Sequence, residues 1–185
     1  MTSSPVALSK ASGMVIDDYA YLIGGEAQDS ISNKIYRFNN DVWEQVGDFP
    51  EKQFGAVSVI INDVVYAGLG QTGNGISGAS YSKRLWASDD KMQTWKALTD
   101  CPTEANGIIR GVECDGQLFV LDTNLEIWAF NPETNAWNKQ KTSLSSILSG
   151  GMVNNIFMFF SGDMIYIGMT NGAKRFIKYD PSWDN

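Results

Sequence analysis

Short apolar stretches separated by polar two-residue turns recur four times along the chain. Asp, Asn and Gly tolerate the positive φ angles of hairpin turns, and the flanking stretches are rich in β-branched and aromatic residues. The pattern therefore predicts four tight β-hairpins. The turns are Asp17-Asp18, Asn62-Asp63, Asp115-Gly116 and Gly162-Asp163, and an aromatic residue stands four positions after the start of each, at Tyr21, Tyr66, Phe119 and Tyr166.

Two further strands are predicted after each hairpin. The third alternates apolar and polar positions, as in 34–38 and 126–130. The fourth is predicted to open on a tryptophan, which we expect to pack as a wedge between repeats. These tryptophans are Trp43, Trp95, Trp137 and Trp183. Apart from a helical turn or two at 143–148, no helix is expected.

The four aromatic residues are 45, 53 and 47 residues apart, a period typical of one supersecondary unit copied along the chain. Four strands repeated four times predict an all-β fold, a small four-bladed β-propeller in one domain. The predicted blades cover 13–53, 54–106, 107–149, and 150–185 together with 1–12.

Each copy resembles a kelch repeat. Gly24 and Gly25 match the glycine pair that ends the second strand of such repeats, and Phe130 before Trp137 matches the aromatic that precedes the tryptophan. The resemblance implies a propeller fold and partner binding. It weakens along the chain, because the glycine pair is replaced in the later copies by Leu69-Gly70, Asp122-Thr123 and Met169-Thr170.

The second copy carries a different signature. Residues 88–95 resemble a sialidase-type Asp box, with Met92 where a glycine is usual. Both signatures are structural turns in their families, so neither implies an activity.

The ends of the chain suggest how the last blade is completed. Twelve residues separate Trp43 from Gly55, and again Trp95 from Gly107, whereas only two residues follow Trp183. Twelve residues before Gly13 is Met1, so residues 5–8 stand at the position that the fourth strand of the last blade would occupy. We predict that this N-terminal strand completes the last blade and gives a closed monomeric ring. The competing interpretation is an incomplete ring, either half of a larger propeller or a protomer that pairs with another copy.

Composition limits the classes of partner that the chain is expected to bind. The formal net charge of −7 disfavours nucleic acid and anionic lipid surfaces. No apolar run is long enough to cross a bilayer, and no secretory signal is present, so we expect a cytoplasmic protein, or a virion protein if a phage encodes it. Cys101 and Cys114 are expected to be small buried or half-buried thiols without a disulfide.

The chain contains no histidine, which excludes Ser-His-Asp and Cys-His arrangements and every His-ligated metal site. Acidic pairs such as Asp17/Asp18 and Asp89/Asp90 fall in turns, where turn chemistry explains them. No phosphate-binding glycine loop is present. We therefore expect a non-catalytic protein with no metal and no cofactor.

Loops between strands are the remaining candidates for binding. The longest is 71–82, and we expect it to be either a recognition element or a flexible excursion without a partner. Arg110, in an innermost strand, is expected to face the central channel. The predicted binding residues are Phe49, Phe54, Asn74, Tyr81, Arg84 and Arg110.

Three functions fit these observations. The first is a non-catalytic protein-interaction module that binds a partner protein through one propeller face. The second is a structural or accessory component of a larger assembly, such as a phage virion or tail, present there in multiple copies. The third is a carbohydrate-binding or sialidase-like propeller, which the Asp-box-like turn and the aromatic content suggest.

Overall fold

Antiparallel β-sheets make up the fold. The computed structural model describes residues 6–28, 30–73, 80–145, 147, 156–169 and 176–184. Over these ranges the chain forms seventeen strands, one short 3-10 helix and no α-helix. By its internal contacts the chain divides into two compact units, Met1–Asp100 and Cys101–Asn185. The all-β class predicted from the sequence is confirmed.

The first unit begins with a four-stranded sheet, here called sheet 1. Its strands are β1 (Ser12–Ile16), β2 (Tyr19–Ile23), β5 (Lys34–Asn39) and β6 (Val42–Asp48), paired in that order. A small hairpin of β3 (Glu26–Ala27) and β4 (Ser30–Ile31), which the sequence pattern did not predict, interrupts the connection from β2 to β5.

Sheet 2 completes the first unit. Its strands are β7 (Val57–Ile61), β8 (Val64–Gly68), β9 (Leu85–Ser88) and β10 (Lys96–Ala97). Sheets 1 and 2 share a hydrophobic core, because one face of each contributes buried side chains to the same cluster. These include Tyr21, Ile23 and Ile35 from sheet 1, Val65 and Ala67 from sheet 2, and Phe49 and Met92 from the connections.

The second unit has two sheets. Sheet 3 consists of β11 (Ile108–Cys114), β12 (Gln117–Asp122), β13 (Glu126–Asn131) and β14 (Ala136–Ser143). Sheet 4 consists of β15 (Ile156–Ser161), β16 (Met164–Met169) and β17 (Phe176–Tyr179), and the 3-10 helix Pro181–Asp184 follows. Sheets 3 and 4 also share a core, which includes Phe119, Leu121 and Ile127 from sheet 3 and Ile165, Ile167 and Tyr179 from sheet 4.

The four predicted hairpins are confirmed. They are β1–β2, β7–β8, β11–β12 and β15–β16. Six of the eight predicted turn residues have positive φ angles, including 50° at Asn62, 64° at Asp63, 49° at Asp115 and 74° at Gly116, whereas Asp18 and Asp163 do not. The strands lie where turn chemistry and alternation predicted them, within a few residues.

The aromatic that precedes each tryptophan has a simple structural role. Phe38 lies directly opposite Trp43 across β5 and β6, with ring centroids 4.8 Å apart, and Phe130 lies opposite Trp137 across β13 and β14 at 5.1 Å. Cross-strand aromatic pairs of this kind stabilise an antiparallel pair by up to about 1 kcal/mol. The kelch-like spacing in these two copies therefore reflects the register of a hairpin.

The end of the chain corrects one prediction. Trp183 does not open a fourth strand, since it lies in the 3-10 helix with 78% of its surface exposed. In the described part of the chain sheet 4 has three strands, and residues 6–8 belong to no strand. Ser9 instead pairs with Glu26 of sheet 1's connecting hairpin. Residues 1–5 lie outside the described ranges, as does most of 143–148.

Candidate functional site

The two ends of the long loop 71–82 are fixed to the rest of the first unit. Gln71 and Phe54 exchange backbone hydrogen bonds of 2.9 and 3.0 Å, and Gln71 also pairs with Tyr81. The amide of Thr72 donates to the carbonyl of Ser80 at 2.7 Å. The residues at both ends of this loop thus form a short antiparallel ladder. A sequence rich in glycine and serine is by itself typical of a flexible segment, so the sequence alone did not indicate this ladder.

Polar contacts anchor the outgoing end of the loop. Arg84 forms an ion pair with Glu51 at 3.1 Å, and the Ser82 hydroxyl donates to the same carboxylate at 2.7 Å. The Arg84 side chain stays 59% exposed, and Tyr81 is 38% exposed. Tyrosine and arginine dominate binding energy in many protein interfaces. We define Glu51, Tyr81, Ser82 and Arg84 as the loop-end surface.

Two predicted binding residues are corrected by the structure. Phe49 is 1% exposed and Phe54 is 5% exposed, so neither presents its ring as a surface anchor. Phe49 packs edge-on against Trp95 at 4.8 Å, and Lys10 lies 4.7 Å above the Phe54 ring. Their position next to loops suggested exposure, but the loops fold inward and bury both rings.

The remaining predicted binding residues have different outcomes. Arg110 is exposed on β11 of the second unit, apart in sequence from the loop-end surface, and its place in a central channel stays a prediction. Asn74 lies outside the described residues. The loop-end surface therefore retains Tyr81 and Arg84 from the predicted set and adds Glu51 and Ser82, which no sequence motif marked.

Asp122, which the repeat pattern marks only as a replaced glycine, is a buried carboxylate. It is 0% exposed and accepts four hydrogen bonds. The donors are the Thr103 hydroxyl at 2.7 Å, the Trp128 indole at 3.0 Å, and the amides of Asn124 and Glu126 at 2.9 and 3.0 Å. All four donors are paired with the Asp122 carboxylate. The carboxylate therefore fixes the β12–β13 turn and has a structural role.

The position of Asp122 explains how the glycine pair could be lost. In sheet 1, Gly24 and Gly25 have φ angles of 63° and 109°, and a side chain on Gly24 would collide with the carbonyl oxygen of Gln53. Their amides donate to Lys34 and Gln53 at 3.0 and 2.9 Å. In sheet 3 the Asp122 carboxylate organises the corresponding turn, and the left-handed conformation falls on Leu125, at a φ of 63°, rather than on Asp122 or Thr123.

The Asp-box-like turn is built around Asp90. Its carboxylate accepts hydrogen bonds from the Ser88 hydroxyl at 2.7 Å, the Thr94 hydroxyl at 2.6 Å, and the Gln93 and Thr94 amides at 3.1 and 2.9 Å. These bonds, that of the Thr94 hydroxyl foremost, lower the pKa of Asp90 to about 2. Met92 has a φ of 67°, the conformation a glycine would adopt, and buries its side chain in the core of sheets 1 and 2.

We expect Asp90→Ala to destabilise the first unit at neutral pH and to lose its effect in acid. The folded pKa lies below the ordinary value of 3.8, so the stabilisation is complete above about pH 4 and disappears as the pH falls toward 2. Urea midpoints of wild type and variant, measured between pH 7 and pH 2, should converge over that window. Asp89→Ala, at the exposed neighbouring position, serves as the control and should leave the midpoint nearly unchanged. A gap between wild type and Asp90→Ala that persists at pH 2 would contradict the assignment.

A depression of about 430 Å³ lies between sheet 1 and the Asp90 turn. Its charged groups are already paired, Arg37 with Glu44 at 2.7 Å, and Lys91 with Asp17 at 2.9 Å. The hydrogen bond that Arg37 donates to Glu44 raises the pKa of Arg37, and the one that Lys91 donates to Asp17 raises the pKa of Lys91. A charged ligand would have to displace these partners, so the depression is a weaker candidate than the loop-end surface.

Both cysteines are buried free thiols, as expected. Burial, followed by the negative charges of Asp115 and Glu113, raises the pKa of Cys114 to about 12. A thiol with this pKa is protonated at neutral pH and is a poor nucleophile. Within the described ranges no cluster of three or more Cys, Asp or Glu side chains could hold a metal ion. The same part of the chain has no helix long and apolar enough to cross a membrane.

Comparison with known proteins shows the fold alone. No family model and no curated protein matches the chain. Among solved structures, YjhT matches with a TM-score of 0.70 and 17% sequence identity over 87% of this chain. The chain spans 58% of the length of YjhT. At this identity the match supports the arrangement of antiparallel sheets and carries no activity with it.

Proposed function

We propose that the chain forms four blades of a kelch-like β-propeller and acts as a non-catalytic protein-binding module. Four successive hairpin-based sheets, two of them with a cross-strand pair of an aromatic and a tryptophan, support the propeller. The fold shared with YjhT is consistent with it. The partner binds at the loop-end surface.

The fixed ends of the 71–82 loop are the main support for this proposal. A ladder of backbone hydrogen bonds holds Gln71, Thr72 and Tyr81 on the sheet scaffold, so the exposed tyrosine is presented at little entropic cost. Glu51 holds the Arg84 guanidinium next to the same loop end. An exposed tyrosine and an arginine held by an ion pair, three positions apart in the sequence, are the residue types that are enriched at the centre of protein-recognition surfaces.

The test is quantitative capture of partners from the source lysate, read by mass spectrometry. We expect the double variant Tyr81→Ala, Arg84→Ala to reduce capture of the specific partner at least about 10-fold, because two hot-spot side chains are lost. Arg37→Ala is the matched control, since Arg37 is also an arginine paired with a glutamate but lies in the depression. Equal loss with both variants, or no loss with the double variant, would contradict the proposal.

The identity of the captured protein separates the two protein-binding functions. A partner recovered only inside a particle, at a fixed copy number, would favour an assembly component such as a virion or tail protein. A free partner would favour an adaptor.

A further inference from the structure

One face of sheet 4 is an exposed aromatic surface. Strand alternation places Phe157, Phe159, Tyr166, Gly168, Phe176 and Lys178 on this side, which we call the sheet-4 outer face. Phe157, Phe159 and Phe176 are 38%, 43% and 59% exposed in the whole chain. Large aromatic side chains are rarely left in such a group on a protein without a partner.

The rings of the sheet-4 outer face are ordered against one another. Phe159 stacks on Tyr166 at 5.3 Å, Tyr166 stacks on Phe176 at 5.4 Å, and Phe157 lies 6.1 Å from Phe176. Gly168 makes this possible, because any side chain there would collide with the Phe157 ring. The result is a continuous platform rather than a set of isolated rings.

The opposite face of sheet 4 packs against another sheet. Its residues Ile165, Ile167 and Tyr179 are at most 4% exposed and pack in the core shared with sheet 3. Sheets 1 and 2 pack face to face in the same way within the first unit. Both units therefore build their cores by laying one sheet face on the next. The sheet-4 outer face is an apolar face of this kind that remains exposed.

Sheet 1 has a second face that fits this surface. The side facing away from the core of sheets 1 and 2 carries Gly13, Val15, Ala20, Leu22, Tyr36 and Phe38, which we call the sheet-1 outer face. Val15 is 64% exposed, Ala20, Leu22 and Phe38 are half-buried, and Tyr36 is 8% exposed, so the open part of this face lies along β1. The residues on β1 and the facing Ala20 are small, whereas those on β15 are bulky phenylalanines. The β1 side of sheet 1 is thus complementary in size to the β15 side of sheet 4, whereas Leu22, Tyr36 and Phe38 give the rest of the sheet-1 outer face larger side chains.

We propose that the sheet-4 outer face of one copy docks on the sheet-1 outer face of a second copy of this chain. The contact continues the sheet-on-sheet packing that each unit already uses. The three exposed phenylalanines leave roughly 250 Å² of apolar ring surface. This is about a third of the roughly 800 Å² per partner in a stable interface, enough for its hydrophobic centre. The interface is separate from the loop-end surface and does not depend on it.

Native mass spectrometry and sedimentation velocity of the purified chain test the proposal. We expect dimers or larger oligomers whose population rises with protein concentration. Phe159→Glu and Val15→Glu should each raise the dissociation constant at least about 100-fold, because either change buries a carboxylate against an apolar face. Val42→Glu is the matched control. Val42 is 63% exposed in the same sheet as Val15, but alternation places it on the other side, so association should persist.

Mixing the two variants identifies the docking faces. Phe159→Glu retains its sheet-1 outer face and Val15→Glu retains its sheet-4 outer face, so an equimolar mixture should form heterodimers although each variant alone is monomeric. Circular dichroism checks that both variants are folded. A wild-type chain that stays monomeric at all concentrations would overturn the proposal and favour a ring closed within one chain. Association of Val15→Glu alone would overturn it in favour of contact between two sheet-4 outer faces.

Discussion

Replacing Asp122 by alanine is expected to lower the free energy of unfolding of the second unit by about 3–5 kcal/mol. The substitution removes a fully buried carboxylate and leaves the Thr103 hydroxyl, the Trp128 indole and two backbone amides without their acceptor. Each abandoned donor costs about 1–3 kcal/mol unless water reaches it. Urea denaturation followed by tryptophan fluorescence measures the loss.

Two further variants make this prediction specific. Asp122→Asn retains one oxygen for the Asn124 and Glu126 amides and should lose about half as much stability, because its amide group cannot accept from Trp128. Asp180→Ala is the surface comparison. Asp180 accepts two hydrogen bonds from Ser182, both of them exposed, so its removal should cost less than about 1 kcal/mol. If Asp122→Ala cost no more than Asp180→Ala, the buried network would not be a main support of the β12–β13 turn.

Local rules were sufficient to predict the hairpins. The conformation of a two-residue turn depends on its own residues, and Asn62, Asp63, Asp115 and Gly116 adopt the positive φ angles that their chemistry favours. The tryptophans of the first three copies were placed at or next to the fourth strand for a related reason. Cross-strand neighbours in a hairpin follow directly from turn position, as in Phe38 with Trp43.

Burial of loop residues could not be predicted in the same way. Phe49 and Phe54 lie between strands in the sequence, and only the path of the connection from β6 to β7 decides whether their rings face water or the core. That path depends on contacts with distant residues, such as the bond from the Phe49 amide to the Asn33 carbonyl at 2.7 Å. The repeat pattern carries no information about such contacts.

The chemistry of Asp122 and the packing of sheet 4 were missed for a similar reason. Asp122 stands where the first copy has Gly24 and the second has Leu69, so the pattern presented it as a weakened repeat. Its four donors come from residues between Thr103 and Trp128, which no spacing rule connects. The hairpin at Gly162-Asp163 was predicted, but residues 156–160 are all apolar, so the sequence does not show which of them face a neighbouring sheet and which face solvent.

Phe49→Ala is expected to destabilise the first unit by about 3–5 kcal/mol, which marks Phe49 as a core residue and not a binding anchor. The ring is 1% exposed and packs edge-on against Trp95 at 4.8 Å and Trp86 at 6.5 Å, so its removal leaves a cavity between two indoles. Thermal unfolding followed by tryptophan fluorescence measures the change. Phe176→Ala, at a position 59% exposed, is the matched control and should cost less than about 1 kcal/mol in the monomer. Equal losses would mean that the Phe49 site collapses without a cavity, and the inward path of the β6–β7 connection would then contribute little to the stability of the shared core.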